Sequence, residues 1–105
     1  MKVASVQNAR ECFEVLQTGE KSQIAVMTLR PGGASGSSAS THEKSEQVLL
    51  VLKGEVEGEI GSEKRLLHEG DAVLIPAGVK HRFVNRGDPP AVIFNVYSPG
   101  ILSVG

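Results

Sequence analysis

Three histidines, His42, His68 and His81, are the side chains of this 105-residue chain best suited to metal or proton chemistry. Imidazole ligates Zn, Cu, Fe and Ni and titrates near neutral pH. Ser40 and His42 are one residue apart, so on an extended strand they share a face. His81, Phe83 and Asn85 share a face for the same reason. Gln47 follows His42 in the chain and offers an amide oxygen. If both strands face one interior, two imidazoles converge with that oxygen nearby, which begins a metal site. The alternative on spacing alone is that each histidine is a hydrogen-bonded structural residue. His68 precedes Glu69-Gly70-Asp71 and reads as a solvated turn residue. Cys12 has no neighbour that would activate it and reads as an inert, buried or half-buried thiol. The chain contains no G-x-S-x-G elbow, phosphate loop or C-x-x-C pair.

The elements that must position these groups read as strands. Twelve Gly and five Pro are scattered through the chain, which leaves little room for helix. Asn8 to Leu16 is the one window with a helical face, through Ala9, Phe13 and Leu16. It competes with a strand over Cys12–Gln17 that turns through Thr18-Gly19-Glu20-Lys21. Further strands are expected over Ser22–Leu29, Gln47–Lys53, Glu55–Ile60, Lys64–His68, Ala72–Ile75, His81–Asn85 and Ala91–Ser98. Val48 to Leu52 is apolar on both faces, as in a strand buried on both sides. Glu55, Glu57 and Glu59 alternate with Val56, Gly58 and Ile60 and give a solvated face. Gly61-Ser62 reads as a type II′ hairpin turn, and Ile75-Pro76-Ala77-Gly78 as a type I turn. Many short strands with frequent turns specify a sandwich or barrel. Pro31–Ser40, rich in Gly and Ser, suits a mobile loop at a barrel mouth.

Composition narrows the function classes. Eleven Lys and Arg against twelve Asp and Glu give a net charge of -1, with no basic cluster, which argues against nucleic acid as a partner. The longest apolar run, Val48–Leu52, is far too short to span a bilayer, so no membrane partner is expected. One cysteine and an N-terminus without a signal-peptide core lead us to expect a cytoplasmic protein. The aromatic residues are Phe13, Phe83, Phe94 and Tyr97, too few for a sugar site built on stacked rings. A largely aliphatic interior with a few polar groups suits a small organic ligand.

The stretch Gly70 to Asn85 matches the second cupin motif throughout: Gly, five residues, Pro, one, Gly, two, His, three, Asn. The first cupin motif, Gly, five, His, one, His, three or four, Glu, six, Gly, is resembled with departures over residues 34–54. Gly54 fits its last Gly and His42 its second His, whereas Gln47 stands for Glu, Ser40 for the first His and Ala34 for the opening Gly. The three-residue variant of the spacing selects Glu46 instead. Neighbouring strand residues point to opposite faces, so only one of Glu46 and Gln47 looks inward on a regular strand. The six residues before Gly54 select Gln47, and a bulge would reverse that.

The chain thus resembles the small single-domain cupins. The resemblance implies an all-β fold over residues 1–105, a double-stranded β-helix or jelly-roll barrel of two antiparallel sheets, like that of the RmlC-type proteins. It also implies a divalent transition metal (Fe, Mn, Ni, Cu or Zn), which the carried-over positions His42, Gln47 and His81 would hold. Ser40 would lie beside an open coordination position, and Phe83 would line the cavity. Because Gln47 and Ser40 replace a carboxylate and an imidazole, such a site is degenerate and the metal weakly held. The expected function is that of a metal-dependent enzyme acting on a small organic molecule. The alternatives are a non-catalytic small-molecule-binding or sensor barrel, and a domain that mainly supplies an oligomeric surface. A homodimer is expected, because one face of the central strand, either Val48, Leu50 and Leu52 or Leu49 and Val51, would be exposed unless a second copy or a folded-back Met1–Gln17 covers it.

Overall fold

The structure, a computed structural model, describes residues 1–9, 12–35 and 44–101. After a single 3₁₀ turn over Val6–Asn8, eight strands follow: β1 Phe13–Thr18, β2 Gln23–Leu29, β3 Glu46–Lys53, β4 Val56–Ile60, β5 Glu63–Leu67, β6 Ala72–Ile75, β7 His81–Val84 and β8 Ala91–Ser98. They form a five-stranded sheet, β1-β2-β8-β3-β6, and a three-stranded sheet, β5-β4-β7, with antiparallel pairing throughout. The expected all-β, two-sheet barrel is therefore present. Of the two readings at the N-terminus, the strand holds, because pairing of Phe13 with Met27 and Val15 with Ala25 outweighs the short helical face. Among the described residues no helix is long and apolar enough to cross a membrane.

The core lies between the sheets. From the large sheet come Met27, Leu29, Leu49, Val51, Ile75 and Ile93, and from the small sheet Val56, Leu67 and Phe83. Strand parity explains the choice. Ala91, Ile93, Asn95 and Tyr97 of β8 are buried, while Val92, Phe94 and Val96 on the other face are half-exposed. Strand β4 behaves as expected, with Val56 and Gly58 buried and Glu57 and Glu59 on its other face.

Three local readings are corrected. Strand β3 is buried on one face only. Leu49 and Val51 are fully buried, but Val48 is 41% exposed and Leu50 and Leu52 are half-exposed, because nothing described fully covers the outer side of the large sheet at β3. The Pro76 turn lies one residue later than expected. The Val79 amide donates to the Pro76 carbonyl at 3.3 Å, so Gly78, with φ 82°, takes the third place that a type II turn reserves for a left-handed residue. Cys12 is exposed rather than buried, since it sits just before the start of the edge strand β1. The Gly61-Ser62 turn is as expected. Gly61 has φ 60°, and Ile60 pairs with Glu63 across a two-residue loop.

Candidate functional site

Residues 46–51 of β3 keep an unbroken register against β8, which shifts only at Leu52. Alternation therefore decides between the two candidate side chains. Glu46 is exposed, and Gln47, 3% exposed, faces the barrel interior. From the opposite sheet, β7 turns His81 and Phe83 inward, 5% and 1% exposed. Their ring centroids are 6.1 Å apart, and Phe83 belongs to the apolar core. Ser40 and His42 lie outside the described residues.

The polar groups here are tied to one another or to the backbone, with one exception. The Gln47 side chain donates through Nε2 to Asn95 Oδ1 at 2.8 Å. Asn95, fully buried on the neighbouring strand, makes a long 3.4 Å contact from Nδ2 to the Ile93 carbonyl. Gln47 Oε1 is buried and has no hydrogen-bond partner. An unmet buried acceptor costs about 1–3 kcal/mol, so it marks a place where a ligand or cation would be stabilised. His81 Nδ1 lies 3.1 Å from the Val79 carbonyl. A carbonyl can only accept, so Nδ1 carries the proton and the neutral ring has its lone pair on Nε2. That is the tautomer with which a histidine ligates metal through Nε2.

Asn95 was not singled out by the motifs. Its signal lay in the strand pattern: an amide on the same face as Ile93 and Tyr97 is a polar group placed in a core. Tyr97 shares that interior, and burial pushes its phenol from 10.0 up to about 12. Between those two values the unfolded chain ionises while the folded one keeps its proton. Stability is therefore fully present below pH 10 and falls as pH rises towards 12. The full loss amounts to about 2–3 kcal/mol. Tyr97 is the one tyrosine of the chain, so an absorbance titration reads it directly. We expect a native midpoint near 12 and a denatured one near 10, and Tyr97→Phe should flatten the alkaline loss. A native midpoint near that of the denatured chain would contradict this account of its burial.

His68 keeps the solvated turn role expected of it, and Asn85 serves the backbone. Asn85 is fully buried and clamps three backbone groups, while His68 is exposed and lies 3.7 Å from both Glu55 and Asp71.

The model of the cupin domain family matches residues 25–97, which contain the whole small sheet, most of the large sheet apart from β1, and every described site residue. The chain is a cupin. Among curated relatives, this cupin is 32% identical over 90 residues to the xanthan biosynthesis protein XanB of Xanthomonas campestris, covering 86% of this chain and 19% of that protein. It is 35% identical over 86 residues to the auxin-binding protein ABP19b of Prunus persica, covering 74% of this chain and 40% of that one. The cupin thus spans less than half of either relative. Among solved structures, TT1209 from Thermus thermophilus matches with a TM-score of 0.85 and 28% identity, over 94% of this chain and 98% of that one. BH2720 from Bacillus halodurans matches with a TM-score of 0.87 and 26% identity, over 94% and 78%.

For a metal, the described donors fit in part. The Gln47 amide oxygen and the lone-pair nitrogen of His81 are both ligating atoms, and both are neutral. Among the described residues, no group of three His, Cys, Asp or Glu gathers that could hold an ion. The one carboxylate next in sequence, Glu46, points away.

Proposed function

We propose that this cupin binds a small organic molecule in the barrel interior, beside a weakly held divalent metal that makes it a metal-dependent enzyme. The observation that carries this reading is the buried, unpartnered Gln47 Oε1 on the wall opposite the strand that bears His81. His42, His81 and Gln47 would hold the metal, which would supply Lewis-acid or redox chemistry when bound. Ser40 would lie beside the open position, and the Phe83 ring, tilted against that of His81, would line the cavity. The neutrality of the described donors favours a second reading, a non-catalytic binding or sensor barrel whose metal site has decayed. The curated relatives are named for different roles, one for xanthan biosynthesis and one for auxin binding.

The test is calorimetric titration with zinc of the wild type, Gln47→Glu and Ser40→His. A carboxylate at 47 adds the missing negative charge, and Asn95 can turn its amide to donate to it, giving up only its long contact to Ile93. We expect each variant to tighten binding about tenfold or more over a weak wild type. No gain in either variant would place the metal elsewhere or nowhere and leave the binding-barrel reading.

We further propose that this cupin is a homodimer. The outer face of the large sheet is apolar across four strands, and the described N-terminal residues leave Val48 and Leu74 41% and 57% exposed. A second copy of the chain, laid face to face, would cover it. No nucleic-acid or membrane partner is proposed, and the cytoplasm remains the proposed location.

A further inference from the structure

We infer that the open flank between the two sheets is a second ligand site, built for a small zwitterion with an aliphatic body, such as an apolar α-amino acid. The flank lies where β5, an edge of the small sheet, approaches β6, an edge of the large one. It encloses a cavity of about 390 Å³ that none of Gln47, His81 or Phe83 lines. A volume of that order suits a small organic molecule. The inference is independent of the interior metal site proposed above, although Ala72 and Leu74, which also line the cavity, belong to the sheet face assigned to the dimer contact.

The composition of its wall runs against barrel parity. On β5, Glu63, Arg65 and Leu67 pair with Ile60, Gly58 and Val56, so all three belong to the inward face. Leu67 obeys the rule and joins the core. Glu63 and Arg65 place opposite charges on that face beside apolar Ile60 and Val73, while Leu66, on the outward face, is exposed. The floor is closed beneath Gly58, where even a methyl group would come within 3.1 Å of the Phe83 ring and 3.2 Å of Leu67. The cavity therefore has an apolar base and a charged rim.

The rim charges are uncompensated. Among the described residues, neither Glu63 nor Arg65 takes part in an ion pair or a side-chain hydrogen bond. Asp71, also at the rim, is already engaged, because its Oδ2 accepts from the His68 amide at 2.8 Å. A ligand seated on the apolar base covers Arg65 and Glu63 together, since they are two residues apart on one face, about 7 Å along the strand. A simple carboxylate would pair Arg65 but face the Glu63 charge, and a simple amine would do the reverse. Desolvating a charge without a partner is unfavourable. A zwitterion offers its carboxylate to Arg65, which can take it in a two-pronged hydrogen bond, and its ammonium to Glu63. Its aliphatic chain lies against Ile60, Leu67 and Val73.

The experiment is a backbone-amide NMR titration of the full chain with three probes of equal aliphatic bulk: L-leucine, 4-methylpentanoate and 3-methylbutylamine. We expect leucine to bind with a dissociation constant on the order of a millimolar. Shifts should centre on Gly58, Arg65 and Val73, and each singly charged probe should bind about tenfold more weakly. Arg65→Gln and Glu63→Gln, both at exposed positions that leave the core intact, should each weaken leucine binding by a similar factor. Equal affinity for the three probes, unaltered binding in both variants, or the absence of saturable shifts would overturn the inference. Shifts confined to Gln47 and His81 would also overturn it, and would place the ligand in the interior site instead.

Discussion

Asn85→Ala is expected to destabilise the fold by about 3–5 kcal/mol, well above the roughly 1 kcal/mol typical of a single substitution. The Asn85 side chain is fully buried and uses three of its four hydrogen-bonding directions. Its Nδ2 donates to the Leu29 carbonyl at 2.9 Å and to the Pro89 carbonyl at 2.8 Å, and its Oδ1 accepts from the Gly87 amide at 2.9 Å. One side chain thus ties the end of β2 to the loop between β7 and β8. Alanine leaves three backbone groups without partners, of which the Leu29 carbonyl is the most deeply buried. Asn85→Asp should fare little better, because it sets a carboxylate against two carbonyls. Urea unfolding of both variants measures the effect. A loss below about 1 kcal/mol would mean that water replaces the clamp and that the loop is held by other contacts. Asn85 ends the second cupin motif, and its bonds account for its place there without any role in ligand chemistry.

Leu50→Lys is expected to convert a dimer into a monomer. The outer face of the large sheet carries two unbroken apolar rows across β6, β3, β8 and β2. One row is Leu74, Val48, Val96 and Ile24, and the next is Ala72, Leu50, Phe94 and Val26, each residue directly opposite the next. Among the described residues these rows lie open at Leu74 and Val48, 57% and 41% exposed, and are covered at the β2 end, where Val26 is fully buried. A two-fold contact uses the same patch on both copies, so a flat apolar sheet face is self-complementary by construction. Lysine at Leu50 would place two unpaired charges near the centre of that contact, one from each copy. We expect the dissociation constant to rise by about a thousandfold or more, roughly 4 kcal/mol. Light scattering at micromolar concentration should give twice the chain mass for the wild type and once for the variant. A monomeric wild type, with Leu50→Lys equally soluble and monomeric, would leave the rows exposed to water and end the dimer proposal.

The barrel was legible because its signals are local. Alternation placed Glu57 and Glu59 on the outer face, Gly61 announced its own turn through a left-handed backbone, and the spacing from Gly70 to Asn85 fixed one wall of the site. Gln47 was legible by counting, but the inward direction depended on where the β3 bulge fell, and a bulge has no clear residue signature. The missed features are relational. The role of Asn95 depends on Gln47 in a strand far away in sequence, and the exposure of Val48 depends on which sheet face lacks a partner. The Pro76 turn was misplaced by one residue because Pro and Gly fit two turn types, which hydrogen bonding alone separates. The charged inward face of β5 could be read only after the strand was known to be an edge.

Strand β8 has a consequence for how the chain is made. It lies between β2 and β3 in the middle of the large sheet, and it is the last of the eight described strands. While a ribosome is still extending the chain short of Ala91, β2 and β3 have no native strand between them. Their apolar residues and open hydrogen-bonding edges face water or a chaperone. Closure is then a single late event that joins segments far apart in sequence, the kind of step that makes β-rich chains slow to fold. A stop codon or cleavage before Ala91 would therefore leave two unjoined halves prone to aggregate, not a slightly smaller barrel.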